Sequence, residues 1–313
     1  MDLPIRLRQA LDACAADYSL TRLKQAAEQV SDTYRKVHRN GARLVTDKAA
    51  VVSYALSRMP ATFGAVSTVF KEVPACQTML DVGAGTGAAT WAALEMGVAQ
   101  KVVCLEREAQ MRDLGQRLMN EAYPSLQWQA FDLVRQDLPF QADLVVASYM
   151  LNELSEPDRM NAIQKLWQGS QKTLLLVEAG TPMGFGIIRQ ARDFLIKQGG
   201  FIIGPCPHSK TCPMSANDWC HFSCRVARSK LHKALKSADA PYEDEKFSYL
   251  IVSRQATQDH FARILRHPQI DKGKVELQLC TVSGLQKRTV TRKESTLVKA
   301  ARKSDAGDKW KES

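Results

Sequence analysis

Met79-Leu80-Asp81-Val82-Gly83-Ala84-Gly85-Thr86-Gly87-Ala88-Ala89-Thr90 is the stretch that decides the fold: an apolar run enters three alternating glycines and leaves into a helix-forming segment. Leu80 and Val82 supply a buried strand. Gly83 and Gly85 let the backbone turn sharply and approach a ligand that any β-carbon would block. Gly87 lets the following helix pack close. The spacing is G-x-G-x-G, not the G-x-G-x-x-G that seats a dinucleotide pyrophosphate on a helix N-terminus, so an adenosine ligand without a pyrophosphate is preferred. An ordinary tight turn is the competing reading, and the flanking residues decide between them.

Downstream, a helix is predicted over 88–96 and a second strand over 101–106, closed by Glu106. A carboxylate 19 residues after Gly87 is where an α/β nucleotide site accepts two ribose hydroxyls, one on each oxygen; Glu108 is the weaker candidate. A helix over 111–121 leads to a third strand over 126–131 and then Asp132. In an open parallel sheet, ligands lie outside the carboxyl ends of the strands, so Asp81, Glu106 and Asp132 are expected to converge on one crevice. Strand four covers 142–148 and exits through Tyr149-Met150-Leu151-Asn152-Glu153-Leu154. A helix over 157–169 and a continuously apolar strand over 173–178 follow. This alternation predicts an α/β, doubly wound, mostly parallel sheet.

The segment from Asp81 to Gly87, with Glu106 and Asp132, resembles the first, second and third strand ends of class I S-adenosylmethionine-dependent methyltransferases, and implies their seven-strand-type sheet. On that resemblance the glycines accommodate the methionine part, Glu106 takes the ribose and Asp132 lies near the adenine. Asp81, Gly83, Gly85, Gly87, Glu106, Asp132 and Ser148 form the expected cofactor-binding set. Base-amine methyltransferases carry an Asp/Asn-Pro-Pro-aromatic turn at the fourth strand, but here the turn is Ser148-Tyr149-Met150-Leu151-Asn152-Glu153. Tyr149 could stack on a substrate and Asn152 or Glu153 could contact one, yet no catalytic base is evident. Methyl transfer depends mainly on positioning, so its absence does not exclude activity.

A chain of 313 residues that is 45% hydrophobic can bury a large core. It contains no apolar run of about 18 residues and opens without the long apolar stretch of a secretory signal, so a cytosolic protein without a membrane part is expected. The net charge of +10 divides unevenly: +4 over 1–70, −5 over 71–180, +4 over 181–259 and +7 over 260–313. A basic C-terminal stretch beside an acidic nucleotide-type core suggests contact with a polyanion such as nucleic acid. Arg35, Lys36, Arg39 and Arg43 form a second basic cluster around Asn40-Gly41. Helices are predicted over 1–39, over 45–60 and over 61–70, with a break at Met59-Pro60.

Four of the eight cysteines, Cys206, Cys212, Cys220 and Cys224, fall within 19 residues of an insertion, and Cys206 and Cys212 precede proline. Such clustering in a chain of this kind points to metal ligation rather than to disulfides. The site is either zinc, with His208 or His221 completing it, or an iron-sulfur cluster held by four thiolates. Cys14, Cys76 and Cys104 read as plain core residues. Over 275–282 the residues alternate like a strand, Ser283-Gly284 punctuates, and 285–293 follows, which predicts a basic hairpin.

Ser31-Asp32-Thr33-Tyr34-Arg35, Arg58-Met59-Pro60-Ala61-Thr62, Cys206-Pro207-His208, Asp218-Trp219-Cys220-His221-Phe222, Glu245-Lys246-Phe247-Ser248-Tyr249 and Leu279-Cys280 together resemble the small-ribosomal-subunit methyltransferase-like family of bacteria and mitochondria. The resemblance covers nearly the whole chain. It implies a role with the small subunit, its ribosomal RNA and its ribosomal proteins, S-adenosylmethionine as cofactor, and a 4Fe-4S cluster on Cys206, Cys212, Cys220 and Cys280. Cys224 is then an extra thiol, although its nearness in sequence argues for it. A ribosomal RNA methyltransferase, a non-catalytic RNA-binding assembly factor and a small-molecule methyltransferase remain in competition, with the enzyme slightly favoured and a monomer expected for the free protein. The expected organisation is an N-terminal helical region (1–72), a cofactor-binding core (73–203), a cysteine-rich insertion (204–245), the last strands with the basic hairpin (246–303) and a disordered tail (304–313).

Overall fold

The computed structural model describes residues 1–36, 47–236, 239–256 and 260–311, with backbone alone over 30–36. The basic cluster Arg35, Lys36, Arg39 and Arg43, and the side chains of the Ser31–Arg35 motif, lie outside what is described. The chain forms two compact units, one of residues 1–177 and 224–245, the other of residues 178–223 and 246–313.

The first unit opens with α1 (Ile5–Ala15), α2 (Leu20–Lys36) and α3 (Lys48–Phe70). An alternating series follows: β1 (Cys76–Val82), α4 (Ala88–Glu95), β2 (Ala99–Glu106), α5 (Ala109–Met119), β3 (Gln127–Ala130), β4 (Ala142–Ser148), α6 (Glu156–Gly169) and β5 (Ser170–Ala179). The strands lie in the order β3-β2-β1-β4-β5, all parallel. Leu80, Leu144, Val145, Leu174 and Leu175 are completely buried, as parallel strands covered on both faces require. Ser155 caps α6, accepting the Asp158 N–H, and Pro157 sits in its first turn. The mostly parallel α/β sheet expected from the glycine stretch is therefore present.

In the second unit, α7 (Pro182–Lys197) is capped by Thr181, which accepts the Gly184 N–H, and leads to β6 (Phe201–Gly204) and the cysteine-bearing loop. The chain then supplies the first unit with most of β7 (Phe222–Ala227), with α8 (Lys230–Lys236) and with the start of β8 (Tyr242–Ser253), whose later half belongs to the second unit. The later half of β8 runs antiparallel to β6, Ile202 facing Val252. The remainder is β9 (Ala262–Ile264), β10 (Gln269–Asp271), β11 (Lys274–Thr281), β12 (Gly284–Thr291), α9 (Ser295–Lys303) and β13 (Lys309–Trp310). These strands make an antiparallel sheet in the order β10-β11-β9-β13, with β12 also on β11. Its core is Ile264, Val275, Leu277, Leu279, Val290, Ala301 and Trp310. Among the described residues no helix is long and apolar enough to cross a membrane.

Three expectations are corrected. Pro60 does not break a helix: α3 runs through it. Proline removes one N–H and so one helical bond, but α3 is buried on nearly all sides and packs against α1, α2, α4, α5 and α8, which offsets that loss. Residues 304–311 are not a disordered tail, because Trp310 pairs with Ala262 and is 5% exposed in the apolar core of the antiparallel sheet. The segment 204–245 is not a single insertion: 224–245, with most of β7 and all of α8, belongs to the first unit. The predicted hairpin exists, turning at Gly284 with φ 109°, but as part of a five-stranded sheet.

Candidate functional site

The register of the parallel sheet builds the crevice. Val82 faces Leu105 and Glu106 faces Ala130, so the chain leaves β1, β2 and β3 at one edge. Gly83 N–H donates to the Leu105 carbonyl at 2.8 Å, which pins the glycine turn there. An open crevice lies outside these strand ends. Gly83, Gly85, Glu106, Asp132 and Ser148 line it, as expected from the sequence. Gly85 has φ 56°, and a β-carbon there would meet nothing within 4 Å, so the open space above it belongs to the crevice.

Asp81 and Gly87 do not line it. Asp81 is completely buried, and its Oδ2 accepts from the Thr90 N–H at 3.1 Å and the Thr90 hydroxyl at 2.7 Å, tying β1 to α4. Gly87 caps α4 with φ 86°, and a β-carbon there would stand 2.3 Å from Met119 Cε. Both act on the scaffold beneath the crevice.

Glu106 is 8% exposed and accepts the Gly85 N–H on one oxygen and the Glu108 N–H on the other, each at 2.8 Å. Each oxygen keeps a lone pair for a further donor. Burial raises its pKa, and the two N–H bonds, that of Glu108 first, oppose the rise. Asp132 caps its own turn by accepting the Val134 N–H at 3.0 Å and stands 3.6 Å from the Arg135 guanidinium. Tyr149 takes φ 56°, a strained value for a non-glycine residue, as β4 ends. Its hydroxyl donates to Glu245 at 3.0 Å, so it is neither a free base nor a loose stacking ring.

Sequence reasoning missed Tyr54, which reaches the crevice from α3, and underrated Met150 and Glu153 in the turn after β4. Tyr54 follows the helical period of a core residue and carries no local signal. Burial, then the Glu106 charge, pushes the Glu153 carboxyl up to about 7, with Arg107 opposing.

The second unit holds a separate, largely apolar cavity lined by Cys206, Cys212, Cys220 and Cys280 with Arg192 and Arg263. Cys280 gets there because β11 alternates: Leu277 and Leu279 enter the sheet core while Cys280 packs on the other face with Phe185, Met214 and Leu265. Arg263 pairs with Cys280 across β9 and β11, and its Nε donates to the Pro205 carbonyl at 2.8 Å. Arg192 donates to the carbonyls of His208 and Lys210. Burial raises the thiols of Cys206 and Cys280, the latter to about 12, while both guanidiniums draw them back toward the thiolate. Cys224 lies in the first unit, on β7, where it interacts with Glu245 and Thr68. Among the described residues no group of three or more His, Cys, Asp or Glu is placed to hold a metal ion. A preassembled single-ion site is therefore not found, and the four thiols instead ring one cavity.

The profile of the family described as mitochondrial small ribosomal subunit Rsm22 matches residues 48–311. Human mitochondrial ribosome assembly protein METTL17 is 31% identical over 285 residues, which are 82% of this chain and 61% of that protein. Mitochondrial ribosome assembly protein RSM22 of Saccharomyces cerevisiae is 23% identical over 240 residues, 44% of this chain and 38% of that protein. The chain thus spans less than two thirds of the length of these curated relatives. Among solved structures, magnesium protoporphyrin IX methyltransferase of Synechocystis is similar at a TM-score of 0.41 and 14% identity, over 72% of this chain and 91% of that one. The expectation of a cytosolic protein is corrected by these matches, since the family and both relatives are named as mitochondrial. Long apolar stretches mark only secretory signals and membrane spans, whereas mitochondrial presequences are amphipathic and Arg-rich. Since its profile matches from Lys48 to Lys311, the chain belongs to the mitochondrial small ribosomal subunit Rsm22 family.

Proposed function

We propose that this chain is a mitochondrial assembly factor of the small ribosomal subunit that binds S-adenosylmethionine in the crevice at the strand ends and meets ribosomal RNA with its basic C-terminal sheet. The observation that carries the cofactor assignment is the crevice above Gly85, where the backbone is exposed to a ligand and no β-carbon intrudes. Glu106 would accept the ribose hydroxyls on its remaining lone pairs, and Asp132 would lie near the adenine. Ribosome assembly is supported by family membership and by the names of the relatives. RNA contact is supported by Lys287, Arg292 and Lys293, which are exposed on or just beyond β12.

We further propose a 4Fe-4S cluster on Cys206, Cys212, Cys220 and Cys280. A cluster is wider than one ion, and four thiols around a cavity lined by Arg192 and Arg263 suit an anionic polynuclear group better than a tetrahedral zinc. Its role would be to tie β11 to the cysteine loop. Bound S-adenosylmethionine would supply an electrophilic methyl group, so methylation of ribosomal RNA is the second reading. It is favoured by the open crevice and disfavoured by Tyr149, whose hydroxyl is held by Glu245.

The test is titration calorimetry with S-adenosylmethionine, followed by RNA cross-linking in cells expressing the full chain. Saturable binding and enrichment of small-subunit ribosomal RNA are expected. Absence of either removes the corresponding half of the proposal, and a methylated nucleotide lost on deletion of the gene would select the enzyme reading.

A further inference from the structure

We propose that Glu153 makes the crevice selective for a cation, its carboxylate facing the positive sulfonium of bound S-adenosylmethionine and discriminating against the neutral thioether of S-adenosylhomocysteine. The inference rests on the cofactor reading above and adds a specificity-determining residue to it.

Glu153 ends the short 3-10 turn Leu151–Glu153 that follows β4 and lines the crevice beside Gly83, Gly85 and Glu106. Its backbone N–H is used by the Met150 carbonyl at 3.2 Å, while among the described residues no hydrogen-bond donor reaches its carboxylate. The neighbouring cations are engaged elsewhere: Arg107 Nε donates to Glu108 at 3.0 Å, and Arg112 donates to the main-chain carbonyls of Glu106 and Arg107 at 2.7 Å. From β2 and the turn after it the crevice receives Glu106, Arg107 and Glu108. From the end of β3 it receives Asp132, whose partner Arg135 is exposed and does not line it, from β4 the Tyr149 hydroxyl bound to Glu245, and from α3 Tyr54. Of the charged side chains that line the crevice, four are carboxylates, Glu106, Glu108, Asp132 and Glu153, and one is a guanidinium, Arg107.

A half-buried carboxylate without a donor is costly when ionised, so it holds a proton or attracts a cation. Its raised pKa agrees with the first state. A ligand with a permanent positive charge offers the second: it binds, Glu153 ionises, and one proton leaves to solvent. S-adenosylmethionine and S-adenosylhomocysteine share adenosine, ammonium and carboxylate and differ in the sulfonium methyl and its charge. A charge-reading residue therefore separates the two in a pH-dependent way, whereas a residue that only packs against the methyl separates them independently of pH.

Calorimetry on the full chain with each ligand, from about pH 6 to 8 and in buffers of different ionisation enthalpy, tests this. Wild type should bind S-adenosylmethionine more tightly as pH rises through about 7, releasing a proton, while S-adenosylhomocysteine shows neither effect. Glu153→Gln should weaken S-adenosylmethionine about tenfold or more and S-adenosylhomocysteine less than about twofold, and abolish the proton release, as expected for loss of one charge-assisted interaction. Equal losses for both ligands, or a pH-independent preference in wild type, would overturn the role of Glu153 while leaving the cofactor reading intact. Failure of wild type to bind either ligand would overturn both. The wild-type pH series needs no variant, so poor folding of Glu153→Gln leaves the test decisive.

Discussion

At Gly85 a β-carbon would project into open crevice, while at Gly87 it would collide with Met119 Cε, so two glycines of one motif fail differently when replaced. Gly85→Val should abolish S-adenosylmethionine binding and cost about 1–3 kcal/mol of stability, from the positive φ alone. Gly87→Ala should cost a similar ~1–3 kcal/mol by overpacking and backbone strain, and reduce binding only through the fold. Urea denaturation beside calorimetry separates the two. Asp81 invites a different test. Burial raises its carboxyl to about 6 from 3.8, against the two Thr90 bonds. A pKa raised in the folded state contributes stability that is present below pH 3.8 and lost as pH rises through about 6. Asp81→Asn keeps an acceptor for Thr90 and removes the titration, so the stability difference between variant and wild type should move in favour of the variant across that window. A difference independent of pH would show that Asp81 does not titrate there.

At the scale of elements, β7 and β11 each carry a buried cysteine, yet the two face different surroundings: Cys224 is in the first unit near Thr68 and Glu245, and Cys280 in the second beside Cys206, Cys212 and Cys220. Cys280→Ser should therefore remove or destabilise the proposed cluster, while Cys224→Ser should leave iron and sulfide at wild-type stoichiometry. Metal and sulfide analysis of anaerobically purified protein reads this directly. Iron lost from Cys224→Ser and kept in Cys280→Ser would reverse the ligand assignment. Zinc without sulfide in wild type would replace the cluster altogether.

Over the whole molecule, charge is segregated: 71–180 carries −5 and 260–313 carries +7. Within the basic part, Arg288 is committed to Glu294, whereas Lys287, Arg292 and Lys293 are exposed. Neutralising those three should weaken RNA binding and flatten its salt dependence, by about 0.7 in the log–log slope for each single-strand phosphate that the protein no longer neutralises. Arg288→Gln should do less. S-adenosylmethionine binding should survive all four changes. An unchanged slope in the triple variant would identify the C-terminal charge as solvated surface.

The local chain was sufficient for the parallel core, because a glycine motif, apolar runs and strand-end carboxylates are short-range signals: Gly83, Gly85, Glu106 and Asp132 were all readable, and all reach one crevice. The β11–β12 hairpin was legible for the same reason, its alternation and Ser283-Gly284 being local. What needed the tertiary structure was every outcome set by distant partners. Pro60 is tolerated because other helices bury α3, which no window around Met59-Pro60 reveals. Trp310 is ordered because it pairs with a strand about 50 residues earlier. Asp81 is drawn below the crevice by Thr90, and Tyr149 is held by Glu245, 96 positions away. Spacing could nominate four cysteines and a spare. Only the pleat of β11 and the separate placement of β7 determine which thiols share a cavity, because a side chain's direction in a sheet follows from strand register and not from its distance along the chain.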